Sequence, residues 1–238
     1  MICSFCKHEF DRPNKEYKDI CIDGYSKEHL FEHLDQIFEM CPHCGVVLGD
    51  LAIYPDDESA QRIIRDAFAS SEEYQKVLED KSIDRLEKKL LLSQIARHTT
   101  PLGNGKHNND MDWTLFIFYH SKELHDKAKI YADNVIKRNM DWLQFQQKHH
   151  KTQSYTTEVL SSANGNLIRL IEVYRLLGDF ENAKKYIDIL KPYKFRRYER
   201  YEKGIFDVQQ KLCKRKDSKR ALDPQKKNAF IGFECNHS

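Results

Sequence analysis

From about Pro55 to Lys191, apolar positions recur at spacings of three and four while Gly and Pro are scarce. That period predicts helix after helix and no strand. Asp56 and Asp57, just after Pro55, are placed to cap a helix running to Phe68. Ser70 with Glu73 spells a capping box for the next helix, which ends near Asp80. A third begins after Ser82, carries a stripe of Leu86, Leu90, Leu91 and Ile95, and stops at a polar stretch from His98 to Gly105. That stretch extends to about Asp110 and is the clearest linker in the chain, either a connection or the rim of a binding surface.

From Met111 onward the helices look paired, in the manner of tetratricopeptide repeats. The best instance is Leu167, Leu170, Tyr174, Gly178, Phe180, Ala183, Ile187 and Leu190. Leu and Tyr would face the partner helix, Gly178 would end the first helix, and the small Ala183 would let the two approach. A weaker copy runs through Leu115, Tyr119, Ala128, Ala132 and Val135. Ala128 and Ala183 are 55 positions apart, 183 minus 128, rather than the roughly 34 of adjacent repeats, so an extra helix from about Met140 to Lys151 is expected between them.

The N-terminal fifth has a different character. Cys3 and Cys6 in MICSFC and Cys41 and Cys44 in MCPHCG form two Cys-x-x-Cys pairs. A two-residue spacer turns both sulfurs of a pair toward one ion, and four thiolates complete the tetrahedral shell of zinc. A shell with no open position points to a structural ion, because catalytic zinc keeps a site for water. Thiol–disulfide cycling of one pair is the competing reading. It suits the segment less well, because Pro42 and Gly45 make CPHCG a turn rather than the start of a helix. Between the pairs, Ser26 can cap a helix from about Lys27 to Met40 with Leu30, Leu34, Ile37 and Phe38 on one face. Cys21 is a buried small side chain or a replacement ligand, and His8 and His43 are spacers. His29, Glu32 and His33 also spell H-x-x-E-H, an inverted zinc-peptidase pattern. With only three of five positions fixed, and no third ligand evident downstream, a solvated helix flank explains them as well.

The order of Cys-x-x-Cys, a second Cys-Pro-x-Cys-Gly, a Ser-x-Glu-Tyr helix (Ser71 to Tyr74) and tetratricopeptide-like helices resembles a bacterial family known only as a domain of unknown function. The resemblance covers the chain to about Lys191. It implies a zinc-ribbon-like N-terminus on a helical-repeat body, with Cys3, Cys6, Cys41 and Cys44 as the metal set and no enzymatic activity to carry over.

Composition adds three constraints. No apolar run approaches eighteen residues and the first residues lead into the metal motif rather than a signal sequence, so a soluble, cytoplasmic protein without membrane contact is expected. Seven cysteines, four of them in metal spacing, fit a reducing compartment better than a disulfide framework. Cys213 and Cys235 are left over, and Cys235-Asn236-His237 reads as a frayed tail or as a metal site in a dimer. Charge is asymmetric: residues 191–227 hold 14 Lys or Arg against 5 Asp or Glu, a net of +9, which leaves −7 for the remainder of a chain whose total is +2. In that stretch Tyr193, Phe195, Tyr198, Tyr201 and Phe206 interleave with Lys194, Arg196, Arg197 and Arg200. Cations for phosphates and rings for bases is a single-stranded nucleic acid pattern. Equally, Phe195, Tyr198 and Tyr201 could be the buried stripe of a last amphipathic helix, with Lys and Arg on its solvated face.

The expectation is therefore a mainly α protein: a zinc-binding module at 1–54, a tetratricopeptide-like helical bundle at 55–191, and a basic C-terminal helix and tail at 192–238. The leading function is a non-enzymatic scaffold or adaptor that binds a protein or peptide on its helical face and is stabilised by one structural Zn2+. A nucleic-acid-associated regulator using the zinc module and the basic segment is the alternative. A zinc peptidase built on His29, Glu32 and His33 is the third reading.

Overall fold

The structure, a computed structural model, describes residues 6, 8–9, 31, 34–35, 40–41, 43, 71–99 and 106–218, with backbone alone for 96–99, 106–110, 198 and 201. Among the described residues the chain is mainly helical. Seven α-helices follow one another from Glu72 to Lys214: α1 (Glu72–Glu79), α2 (Arg85–Thr99), α3 (Lys106–Ser121), α4 (His125–His149), α5 (Thr157–Leu176), α6 (Phe180–Leu190) and α7 (Arg200–Lys214). The chain divides into two compact units, Met1–Glu123 and Leu124–Ser238. The helix expected from Asp56 to Phe68 lies outside the described residues.

In the first unit, the Ser71 hydroxyl accepts from the Tyr74 N–H and starts α1. The cap is Ser71, one residue later than the Ser70 expected from the sequence: α1 begins at Glu72, and the first-turn N–H that the hydroxyl reaches is that of Tyr74. Asp84 caps α2 by accepting from the Glu87 N–H at 2.9 Å. Leu90, Leu92 and Ile95 are buried, while Leu86 and Leu91 are half-buried, so the core stripe of α2 is rotated slightly from the expected one. The expected linker at 98–110 is shorter than its polarity suggests, since α2 runs on through Thr99 and α3 begins at Lys106.

Five consecutive residues of α3, Leu115, Phe116, Ile117, Phe118 and Tyr119, are buried. At 100° per residue they cover every side of the helix, so that turn is enclosed all round. α2 and α3 pack antiparallel, with polar bonds at both ends of the contact: Tyr119 Oη donates to Glu87 Oε1 at 2.8 Å, and Gln94 Nε2 donates to Asp112 Oδ1 at 2.8 Å. Phe31 and Leu34 are helical, as expected between the cysteine pairs, and Leu34 is buried. Met40, the expected helix end, is instead a β-bridge residue. Phe31 packs against Phe118 at 5.4 Å between ring centroids, and the buried Lys89 ammonium bonds Asp35 at 2.5 Å.

In the second unit α4 is one uninterrupted helix of 25 residues. No separate helix is inserted at Met140–Lys151; nothing between Arg138 and Gln147 breaks a helix, and the 55-residue offset is absorbed by the lengths of α4 and α5. The buried Asn139 donates its Nδ2 to the Val135 carbonyl at 2.6 Å, and its Oδ1 accepts from Asn166 Nδ2 of α5 at 2.7 Å. The Thr156 hydroxyl caps α5 through the Val159 N–H. α5 is the central helix of the unit, touching α4, α6 and α7.

Its Leu160, Ala163, Leu167, Leu170 and Ile171 form one core with Leu143, Tyr186, Ile187, Leu190, Tyr193 and Phe206. Each fully buried leucine there stabilises the unit by about 2 kcal/mol. The α5/α6 pair is the tetratricopeptide-like instance read from the sequence: Leu167, Leu170, Ala183, Ile187 and Leu190 are all buried. Gly178 sits at φ +78 just past α5. The Asp179 N–H reaches the Tyr174 carbonyl and the Gly178 N–H the Arg175 carbonyl, the paired bonds of a Schellman motif, whose left-handed position favours glycine. Tyr193 and Phe206 put part of the stretch 192–238 into this same core.

Candidate functional site

Three arrangements carry chemistry. The first is the cysteine knuckle. Cys6 and Cys41, one from each Cys-x-x-Cys pair and 35 positions apart in the chain, have their sulfurs 3.7 Å from each other. A disulfide would bring them to about 2.05 Å. A tetrahedron with zinc–sulfur bonds of about 2.3 Å has edges of about 3.8 Å, a length that two reduced sulfurs in van der Waals contact share. Cys41 is buried and Cys6 half-buried. His8 and His43, two residues beyond Cys6 and Cys41, stack with centroids 4.7 Å apart and planes at 19°, both exposed. Cys3 and Cys44 lie outside the described residues, and among the described residues no three His, Cys, Asp or Glu side chains gather as a metal site. Cys21, His29, Glu32 and His33 also lie outside the described residues.

The second arrangement is the basic turn between α6 and α7. Lys194, Arg196, Arg197 and Arg200 are all exposed. Three of the rings that interleave with them face the other way: Tyr193 and Phe206 are buried and Phe195 is half-buried. Phe195 stands edge-on to Tyr193 at 5.1 Å and tilted on Phe206 at 5.7 Å. The ring-and-cation surface expected for base stacking is therefore divided, with cations outside and these rings in the core. Phe195 precedes the final helix rather than lying on it, since a short 3-10 turn, Arg197–Glu199, intervenes before α7.

Glu199, which sequence reasoning did not single out, fixes this turn. Its carboxylate is buried and accepts from the Tyr193 hydroxyl at 2.9 and 3.0 Å, Asn164 Nδ2 at 2.9 Å and the Arg196 N–H at 2.6 Å. Burial opposes ionisation, but the Arg196 N–H, the Tyr193 hydroxyl and the Asn164 amide outweigh it and hold the carboxyl below its ordinary range. The signal was present as Arg196-x-x-Glu199, the spacing of a side chain reaching back to cap its own turn.

The third arrangement is a row of rings on α4. Trp142 and Phe145 are 42% and 53% exposed, although the core positions Asn139, Leu143 and Gln146 lie on the same helix. Trp142 stacks on Phe145 at 5.4 Å with planes at 27°, and Phe145 on His149 at 6.1 Å with planes at 29°. Lys148 and Lys151 are exposed beside the row. The signal for it was two large aromatics three apart and out of phase with the core stripe.

Two remaining groups are accounted for by packing. Cys213 is half-buried against the core, where burial pushes its thiol up and Arg175 pulls the other way. Arg175 is buried, donating Nε to Gln209 Oε1 at 2.6 Å and Nη1 to the Asp217 carbonyl at 2.8 Å. No helix among the described residues is long and apolar enough to cross a membrane. No family model matches the chain, and neither a curated protein nor a solved structure is significantly similar to it.

Proposed function

We propose that this protein is a non-enzymatic interaction scaffold that binds a protein or peptide partner through the helices of its second unit. In this reading its N-terminus is tied by one structural zinc on Cys3, Cys6, Cys41 and Cys44. The observation that carries the scaffold reading is the exposed Trp142, Phe145 and His149 row on α4. Stacked aromatics kept in water by a helix that already has a full core stripe are an anchor for a partner, since large rings dominate binding energy where they become desolvated. The adjacent Lys148 and Lys151 favour a partner whose apolar anchor is flanked by acids.

The zinc part of the proposal rests on the Cys6–Cys41 separation and on the four-thiolate donor set. Membership of a zinc-ribbon-like, tetratricopeptide-like family belongs to the same proposal. The test is co-purification of the tagged, zinc-loaded chain from its native extract after nuclease treatment, with Trp142→Ala/Phe145→Ala alongside. A stoichiometric protein retained by the parent and lost from the double variant supports the reading. Equal recovery from both, with helicity unchanged, overturns it.

A second reading, a nucleic-acid-associated regulator, is favoured by the outward presentation of Lys194, Arg196, Arg197 and Arg200. It requires affinity that falls steeply with salt and is abolished by charge reversal at Arg196, Arg197 and Arg200.

A further inference from the structure

We infer that the aromatic row on α4 is covered by a second copy of this chain, paired antiparallel through the same helix about a twofold axis at Phe145. This occupant rests on the reading of the row as an interface, given above, and names the partner.

Five exposed residues form the row and its edges: Asp141, Trp142, Phe145, Lys148 and His149. At about 100° per residue they fall within about 120° of arc, with Phe145 in the middle. Asp141 and Lys148, one heptad apart, lie on one flank, while Trp142 and His149, also one heptad apart, lie on the other. The rings are joined across this face, Trp142 to Phe145 at 5.4 Å and Phe145 to His149 at 6.1 Å. α4 is unbroken from His125 to His149, so a rigid element presents the face and pairing has no loop to order.

The arrangement is self-complementary. In a twofold pair, a contact of one residue with another is made twice, once from each copy. With a rise of about 1.5 Å per residue, Asp141 stands about 6 Å to one side of Phe145 and Lys148 about 4.5 Å to the other. Turning a second helix antiparallel about Phe145 therefore brings the second copy's Lys148 within about 1.5 Å of the level of Asp141, on the same flank. The other flank sets Trp142 beside the second copy's His149, and the two Phe145 rings meet on the axis. A parallel pair in register sets acid level with acid and lysine level with lysine, which opposes association. Lys129 and Asp133 on the same helix pair with each other, whereas neither Asp141 nor Lys148 makes an ion pair among the described residues.

The size of the patch sets the strength. Trp142 and Phe145 are about half exposed, so their four rings contribute about 300 to 500 Å² across the two copies. With the flanking side chains added, the contact stays below the roughly 1,200 Å² of a stable complex. A concentration-dependent dimer with a Kd of about 10 to 100 µM is therefore expected.

The experiment is sedimentation equilibrium of the full, zinc-loaded chain under reducing conditions, in about 0.05 M salt and from about 2 to 300 µM protein. The apparent mass should rise from 28.3 kDa toward twice that value. Phe145→Ala weakens pairing at least about tenfold, with circular dichroism unchanged. Asp141→Lys and Lys148→Asp each weaken it at least about fivefold, because each acts at both symmetry-related pairs. An equal mixture of these two variants recovers the parent affinity within about threefold, since every lysine then faces an acid. The mass of one chain at every concentration overturns the dimer. A dimer indifferent to Phe145→Ala overturns the site, and one indifferent to both charge variants overturns the antiparallel register. The scaffold reading fails separately: a monomeric chain that still retains another protein through Trp142 and Phe145 loses the second copy as occupant and keeps the scaffold.

Discussion

Replacing Arg175 tests how the second unit is fastened. The guanidinium is 1% exposed, and burial pushes its pKa down while Glu172, Cys213 and Asp217 pull it back up. Its bonds to Gln209 Oε1 and to the Asp217 carbonyl tie the middle of the fold, α5, to α7 and to the chain just beyond it. Two charge-assisted hydrogen bonds contribute about 1.5 to 3 kcal/mol each, part of which offsets the desolvation of the charge. Arg175→Ala also opens a void and strips the buried Gln209 oxygen of its donor, so about 3 to 5 kcal/mol of lost stability is expected. Arg175→Met fills most of the volume without making the bonds, and about 2 to 3 kcal/mol is expected.

In Arg175→Met/Gln209→Leu both partners are apolar. The double variant should then recover about 1.5 to 3 kcal/mol relative to the sum of the singles. The chain has two tryptophans, Trp113 in the first unit and Trp142 in the second. In a Trp113→Phe background, urea unfolding followed by indole fluorescence therefore reports on the second unit alone. With a slope of about 1.5 kcal/mol per M, a 3 kcal/mol loss moves the midpoint by about 2 M. A cost below about 1 kcal/mol for Arg175→Ala, or strict additivity of the Arg175 and Gln209 changes, would refute the reasoning.

Three further outcomes follow from local chemistry. Cobalt loading of the chain should give the absorption band of a thiolate-bound ion, and Cys41→Ser should weaken it and expose the N-terminal residues to protease while most helicity remains; an unchanged band would exclude Cys41 as a ligand. Burial first, and then Tyr174 and Tyr155, push the Tyr186 phenol up to about 12. A phenol whose folded pKa lies above its unfolded value contributes stability that is complete below about pH 10 and is lost as pH rises toward 12, so Tyr186→Phe should flatten the alkaline limb of the stability curve; a limb of equal steepness would contradict the assignment. Gly178→Ala places a Cβ at φ +78 and should cost about 1 kcal/mol by thermal melting, through backbone strain alone, because nothing lies within 4 Å of that Cβ; a neutral substitution would count against the strained cap.

The α5/α6 pair was legible in the sequence because its determinants are local: leucines at helical spacing, a small Ala183 at the close approach and Gly178 at the stop. The extra helix expected near Met140 arose from a repeat length, which is a statement about neighbours. The chain met the same offset with a longer α4, since helix length is limited only by breakers and caps. The interleaved aromatics at 193–206 were ambiguous for a physical reason. A residue's direction in a non-helical turn depends on what the turn is bonded to, and here Glu199 supplies that bond from a buried position no periodicity marks. The Trp142 and Phe145 row was hidden because aromatics at spacing three look like core until a neighbouring stripe fills the core. Of the cysteine set, spacing within each pair was readable, while the approach of Cys6 to Cys41 depends on the fold of the residues between them.

The amides of Asn139 and Asn166 have a consequence for how α4 finds α5. Helices faced with alanine, leucine and valine can slide past one another by a turn and exchange one aliphatic contact for another at small cost, which leaves several registers close in energy. A polar pair is not interchangeable in that way. Sliding by a turn parts the two side chains by about 5.4 Å and carries Asn139 along the apolar face of Leu160 and Ala163 without its partner. The pair adds little to the depth of the native minimum, yet it raises the neighbouring ones, so its contribution is the uniqueness of the docked helix pair rather than its strength.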